Sequence, residues 1–269
     1  MSLQHFILDN RYHPRIRSFS VLEEPQDVFN KRILLPDPSP QLLINFGAPM
    51  IWETENGSQV ELPDAVLFRP QTKPLKIFAT GFCRFIGITL HAWEPRLIVD
   101  ERIDLTETPI TPLEGIWQDL TLLLEATFRQ RGAMETLATL EQFISDLHQH
   151  EFKEIPGIRA TMDLLYRKKG QCSVNELAAD CHLSISQLER RLKYFTGLSP
   201  KTLTRLIRFD MACSSLLSSD RLTDLAYTTG YIDQSHFNHE CRALSGCTPR
   251  EVREYIHWLA SNAEFLQVS

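Results

Sequence analysis

Two periodicities divide the chain. Up to about residue 91 the apolar residues come in short runs between turn residues: "QLLINFG" (41–47), "AVLFRP" (65–70), "LKIFATG" (75–81) and "CRFIGITLH" (83–91). Leu, Ile and Phe fill them, and Pro36, Pro38, Pro40, Gly47, Pro49, Gly57, Pro63, Pro70, Pro74 and Gly81 punctuate them. Short apolar runs bounded by such breakers read as strands, and several in close succession predict a β-sandwich or barrel-like domain. From residue 115 the period changes. "GIWQDLTLLLEATFRQRG" (115–132) sets Ile116, Leu120, Leu123, Leu124 and Phe128 at helical spacing, and "AMETLATLEQFISDLHQH" (133–150) does the same with Leu137, Leu140, Ile144 and Leu147. A helical hairpin over 115–150, turning at Gly132, is expected. Its leucine stripe suits a cap on the chain's own sheet and a dimer interface alike, and a mixture of both is expected. "EFKEIPGIR" (151–159) is the candidate linker, with Pro156-Gly157 as its breaker. Everything after it reads as helix. The predicted organisation is multidomain α+β: a β-rich sensor or dimerisation domain over 1–156, and an all-α domain over 157–269.

The helical part contains a duplication. Ser173 with Glu176, and Ser184 with Gln187, have the spacing of capping boxes that start two helices with only Cys181-His182-Leu183 between them. Two short helices joined by so brief a turn, with Leu177, Leu183, Leu188 and Leu192 to hold them together, make a helix-turn-helix. A second copy follows. Asp224-Leu225-Ala226 aligns with Glu176-Leu177-Ala178, Phe237 with Leu188, and Gly246-x-Thr248-Pro249 with Gly197-x-Ser199-Pro200. The offset grows by one residue between the first match and the others, so one extra residue sits in the second turn, around Gly230. "SPKTLTRLIRFDMACSSLLSSD" (199–220) joins the copies, with Ser199 as N-cap, Pro200 at the first helical position, and an apolar stripe of Leu203, Leu206, Ile207, Met211 and Leu216. A helix of about 18 residues is roughly 27 Å long. That suits two recognition helices set about 34 Å, one duplex turn, apart. A single chain of this design can occupy two successive major grooves.

Charge supports the division. Residues 157–269 hold 14 Lys+Arg against 12 Asp+Glu, whereas residues 1–156 hold 14 against 22. A slightly basic half behind an acidic half points to different partners. The basic excess is too small to argue nucleic acid by itself, so the repeat carries that inference. No apolar run approaches the roughly 20 residues of a membrane helix, and the N-terminus "MSLQHFILDNRYHPR" lacks a signal-peptide core. The six cysteines form no C-x-x-C pair and read as free thiols in a reducing compartment, so a cytoplasmic protein without membrane contact is expected.

Residues 157–257 resemble the DNA-binding domain of the AraC/XylS family of bacterial transcription regulators. The likeness lies in "ELA" at 176, "LERRLKYFTGLSP" at 188, "RFDMACSSLL" at 208, "DLAYTTGYIDQSHF" at 224 and "RALSGCTPREVREY" at 242. The N-terminal segment resembles an uncharacterised domain often found in front of such DNA-binding domains. The resemblance implies a DNA-binding regulator whose helices 184–196 and 234–245 enter the major groove, with duplex DNA and RNA polymerase as partners. Ser186, Gln187, Glu189, Arg190 and Lys193 on the first helix, and Gln234, Ser235, His236, Asn238 and His239 on the second, are the expected DNA contacts. Leu188, Leu192, Phe195 and Phe237 are expected in the core. Two departures from the family pattern, His239 for the usual Arg and Cys241 for a large aromatic residue, predict a weaker second reading head.

Other chemistry is thin. His236 and His239 stand three residues apart, but a pair without a third ligand is a poor metal site. His148 and His150 do not share a helix face. A cupin-type metal enzyme needs clustered His and Glu on its strands, and residues 41–91 supply only His91. A repair methyltransferase needs a metal-bound cysteine cluster, and Cys83 stands alone in the first domain. No Ser-His-Asp or phosphate-loop motif occurs. No enzymatic activity, cofactor or metal is expected. A small-molecule effector remains open. Trp52, Arg69, Arg84, His91 and Trp93 are the candidate ligand contacts, in a pocket inside the β-rich layer or between it and the helices, although tryptophans more commonly fill cores. The alternative is an N-terminal domain that only dimerises or docks on a protein and binds no small molecule.

Overall fold

The computed structural model describes residues 2–8, 16–24, 32–93, 108–147, 157–219, 221–261 and 263–268. Residues 148–156, which hold His148, His150 and most of the predicted linker, lie outside them. The predicted strands form at Gln41–Asn45 (β4), Ala65–Phe68 (β7), Leu75–Ala79 (β8) and Cys83–Leu90 (β9). Seven more complete the set: Ser2–Leu8 (β1), Ile16–Glu24 (β2), Arg32–Leu34 (β3), Met50–Glu53 (β5), Gln59–Glu61 (β6), Ile110–Pro112 (β10) and Ala263–Val268 (β11).

The apolar run Leu42–Ile44 of β4 and the wholly apolar β7 have a direct cause: both faces of their sheet are covered. That sheet has seven strands in the order β10-β7-β4-β9-β2-β1-β11. Leu42 of β4 lies between Leu67 and Ile88, and Ile44 between Ala65 and Ile86. These rows pack under the helical hairpin, Ile116–Arg131 (α1) and Ala133–Leu147 (α2), through Trp117, Leu120, Leu124, Leu137, Leu140 and Ile144. The alternate residues, Leu43, Val66 and Phe68, pack against Met50, Leu75 and Ile77 of a second, four-stranded sheet ordered β3-β8-β5-β6. The first half is therefore three layers: helices, large sheet, small sheet. The expected stripe on α1 needs a correction. Ile116 and Leu123 are each 51% exposed, and the buried face is Trp117, Leu120, Thr121 and Leu124. One stripe shifted by a residue is hard to resolve in "LTLLLEA", where almost every position is apolar.

Residues 157–261 form seven helices: Ile158–Arg167 (α3), Val174–Asp180 (α4), Ile185–Thr196 (α5), Pro200–Ser215 (α6), Leu222–Thr228 (α7), Gln234–Ser245 (α8) and Pro249–Ser261 (α9). They make two cores that share α6. Leu203 and Ile207 face Met162, Leu165, Leu177, Leu188 and Leu192. Leu206, Phe209, Ala212 and Leu216 face Leu225, Phe237, Cys241 and Leu244. The two turns adopt the left-handed backbone that the duplication demands, at His182 (φ 53°) and at Gly230 (φ 80°). The first turn thus uses a residue for which that conformation is uncommon.

The halves touch at several places. Trp93 joins the first helical core and Leu35 the second. The Tyr255 hydroxyl donates to the Ile33 carbonyl at 2.7 Å. The β11 strand, which follows α9, adds in parallel to the edge of β1.

Gly170, with φ 66°, is closely approached by the backbone of α6: a Cβ there would stand 2.3 Å from the Thr204 carbonyl oxygen and 3.0 Å from the Arg208 nitrogen. Gly170→Ala is expected to lose at least about 2 kcal/mol, combining left-handed strain with that clash. Gly246→Ala has φ 73° but open space around the new Cβ, so it should lose only about 1 kcal/mol. Urea unfolding of the full chain followed by helical circular dichroism measures both. Equal losses would contradict the close packing assigned to Gly170.

Candidate nucleic-acid interface and interdomain cleft

Local chemistry fixes both recognition helices at their first turns. For α5 the capping box is complete: the Gln187 N–H donates to Ser184 Oγ at 3.2 Å, and the Ser184 N–H donates to Gln187 Oε1 at 2.9 Å. For α8 the cap is Asp233, whose Oδ1 accepts from the His236 N–H at 2.7 Å. Each helix ends at a left-handed glycine, Gly197 or Gly246. Leu188, Leu192 and Phe195 are buried, as are Phe237, Cys241 and Leu244. The polar faces that remain are set by these buried positions.

On α5 the five expected residues, Ser186, Gln187, Glu189, Arg190 and Lys193, are all exposed. Gln187 has its Oε1 engaged in the cap. On α8 the outcome is mixed. Ser235 and His239 are exposed, whereas Gln234, His236 and Asn238 are half-buried. The Gln234 Oε1 accepts from Thr223 Oγ1 at 3.1 Å. The His236 Nδ1 accepts from the Ile232 N–H at 3.3 Å, and its ring meets Tyr231 edge-on at 5.4 Å. Tyr231 lies in the core beside Phe237, as Leu183 packs on the first core, and its ring stands against His236. Glu240, one residue beyond His239, is held by Arg205 of α6 at 2.6 Å.

Sequence reasoning missed Arg242. It is exposed and lies three residues beyond His239, so Ser235, His239 and Arg242 form one stripe along α8. The alignment that pairs Leu188 with Phe237 also pairs Ser186 with Ser235, Arg190 with His239 and Lys193 with Arg242. The signal was present in the repeat itself. Each helix thus presents a hydroxyl in its first turn, a nitrogen-bearing side chain in its middle and a cation towards its end. Such groups suit phosphate oxygens and base edges.

The cysteines have no such role. All six are free thiols, and burial raises Cys241 to about 11 and Cys213 well above its ordinary value. Cys213 and Cys241 fill apolar space as protonated thiols. Among the described residues no group of three or more His, Cys, Asp or Glu could hold a metal ion. Among them, too, no helix is long and apolar enough to cross a membrane.

An open cleft of about 1290 Å³ lies where the small sheet meets the helical half. Its walls are the β5–β6 hairpin from Trp52 to Ser58, the segment Arg69–Lys76, and Thr108-Pro109, and its remaining edge is Gly197-Leu198 at the end of α5. Arg69 is buried and donates from Nη2 to Thr108 Oγ1 at 3.1 Å. Lys73 and Lys76 pair with Glu55 and Glu53 at 2.7 and 3.3 Å. Leu198 packs on both helical cores. Of the five candidate ligand residues, Trp52 and Arg69 line this cleft. Arg84 is paired with Glu23 at 2.5 Å and lies over the Phe82 ring. His91 stacks on Trp93 with ring centres 4.6 Å apart, and Trp93 is packed into the first helical core.

Comparison with known proteins agrees with this geometry. A family model described as a helix-turn-helix domain matches residues 177–255. The HTH-type transcriptional activator RhaS of Citrobacter koseri is 28% identical over 153 residues, which is 56% of this chain and 49% of that protein. RhaS of Klebsiella pneumoniae is 29% identical over 142 residues, 52% of this chain and 45% of that protein. The chain spans about half the length of these curated relatives. ToxT from Vibrio cholerae superposes with a TM-score of 0.56 at 12% identity, covering 95% of this chain and 99% of that one. A ToxT structure with an unsaturated fatty acid bound superposes with a TM-score of 0.52 at 12% identity, covering 87% and 94%. At such identities the likeness is one of fold, and it extends through both halves.

Proposed function

We propose, from the premise that this chain belongs to the AraC/XylS family of transcription regulators, that it regulates transcription by reading two successive major grooves of duplex DNA in the cytoplasm. The observation that carries the reading is the matched pair of exposed stripes, Ser186-Arg190-Lys193 and Ser235-His239-Arg242, on helices held to opposite sides of one spacer helix. Arg190 offers the two-pronged donor that fits a guanine edge. Lys193 and Arg242 serve phosphates. His239 is the weaker reader, because an imidazole ring cannot make that two-pronged contact. The curated relatives are named as activators, and activation by this chain would make RNA polymerase its second partner.

The N-terminal half is the sensor in this reading, and the cleft beside Trp52 is its effector site. Pockets of this kind combine apolar walls with a few fixed polar groups. Trp52, Leu75 and Leu198 supply the former, and Arg69, Lys73 and Lys76 the latter. Two structures of the ToxT fold carry carboxylic acids, an unsaturated fatty acid and a naphthyl-butenoic acid, which favours an organic acid with an apolar body here. The docking-only reading also has an observation in its favour: Ile116, Leu122, Leu123 and Met134 on α1 and α2 expose apolar surface that a second copy or another protein could cover.

Two measurements test these readings. In titrations of promoter DNA, Arg190→Ala is expected to cost about 1–3 kcal/mol and to relax preference at one base position. His239→Ala should cost less at neutral pH. Arg242→Ala should weaken all sequences alike and lower the slope of log affinity against log salt by about 1. Full-length protein with no salt-dependent binding to its promoter would overturn the regulator reading. For the cleft, a series of medium- and long-chain fatty acids should raise the melting temperature of the full chain, and Trp52→Ala should reduce that rise. No shift across the series, with sedimentation showing a dimer, would favour docking alone.

A further inference from the structure

The junction between the halves contains a set of ionisable groups that DNA reading does not use. Arg17 of β2 reaches out of the N-terminal half. Its Nη1 donates to Ser39 Oγ, its Nη2 lies 3.9 Å from Asp210 Oδ2 of α6, and its guanidinium sits over the Tyr166 ring of α3 at 5.4 Å. Asp37, on the connection between β3 and β4, belongs to the same set. Its carboxylate accepts from the Ser39 N–H at 2.7 Å and from Gln41 Nε2 at 3.3 Å. One guanidinium therefore acts on two carboxylates at a partly buried junction, where the Arg17 and Asp210 side chains are 31% and 21% exposed. The groups facing Asp210 are Arg17, Asp37 and Tyr166 from the other elements, with the buried thiol of Cys213 on its own helix.

The two carboxylates are not equally provided for. Asp37 has two local donors, both from its own half. Asp210 depends on an arginine across the junction, at a distance longer than a hydrogen bond. Burial raises both carboxyls, Asp37 above its ordinary range and Asp210, with Asp37 as the next contributor, to about 7. Separating the halves would return it to water and to the usual carboxylate range.

We propose that this junction is a proton-operated latch, in which Asp210 binds a proton as the N-terminal half seats on α6 and releases it as the halves part. The seated state then holds more protons than the parted state between the two protonation ranges of Asp210. Seating weakens as pH rises from about 4 and levels off above about 7, where Asp210 is ionised in both states. The consequence reaches the DNA-binding half directly, because Asp210 stands on the spacer helix between the recognition helices. The latch does not depend on a ligand in the cleft.

Carbon-13 NMR of full-length protein labelled at its aspartate carboxyls tests this. One carboxyl should titrate near pH 7 and be absent in Asp210→Asn. In Asp37→Asn, which removes a negative charge contributed by the other half, its midpoint should fall measurably. Hydrogen exchange, compared between wild type and Asp210→Asn at matched pH, reads the seating itself. At residues 33–35 and 93, wild type should lose about tenfold in protection relative to Asp210→Asn between pH 6 and pH 8, from the two protonation ranges. The proposal is overturned if no aspartate titrates above about pH 5.5, if Asp37→Asn leaves the midpoint in place, or if the two proteins keep the same relative protection at both pH values.

Discussion

The spacer helix α6 is the constraint on which the reading apparatus depends. Neither helix-turn-helix unit has a complete core of its own. The first closes only when Leu203 and Ile207 cover Leu177, Leu188 and Leu192. The second closes only when Leu206, Phe209 and Leu216 cover Leu225, Phe237 and Leu244. One helix with apolar residues on two faces therefore fixes both recognition helices relative to each other. Gly170 marks how closely α6 is approached, since no side chain fits between it and the Thr204 carbonyl. The pairing of Arg205 with Glu240 holds α8 to the same helix. Rigidity here is what two fixed grooves on DNA require.

The same helix also receives the N-terminal half. Asp210 faces Arg17, and Leu198, just before α6 begins, borders the cleft while touching both helical cores. An effector in that cleft would press on the end of α5 and on the start of α6 at once. Coupling of this kind needs a ligand that favours one seating over another. A packed residue shared by two cores is a physical means of passing such a preference to both recognition helices. The acidic balance of residues 1–156 has a complementary effect, because it discourages this half from lying on DNA itself.

Much of the helical half was determined by the sequence alone. The capping pairs at Ser173 and Ser184, the glycines at 197, 230 and 246, and the leucine spacing dictate helix ends and buried faces through local chemistry. The observed helices follow them closely. The β7 run was legible because a strand buried on both faces stays apolar at every position, and β8 and β9 were legible from apolar residues broken only by Lys76 and by Arg84, Gly87 and Thr89. Strands such as Gln59–Glu61, which is wholly exposed, leave no hydrophobic mark and were not readable. In α1 the buried face was misplaced by a residue, because its surplus of leucines hides the period.

Only the tertiary structure decided how these parts serve a site. The extra residue near Gly230 was visible, but the packing around it was not: His236 stands against the buried Tyr231 ring, and His236 and Asn238 are half-buried behind the exposed Ser235-His239-Arg242 stripe. Trp93 and Trp52 looked alike in the sequence, yet one fills the helical core and the other lines a cleft. Nothing local in the sequence relates Arg17, Asp37 and Asp210, which folding places in one junction. The reason is range. Caps, turns and amphipathic faces are set by neighbours within a few residues, so the sequence states them. Clefts and buried charge clusters arise where distant segments meet, and their chemistry exists only after the two halves are packed.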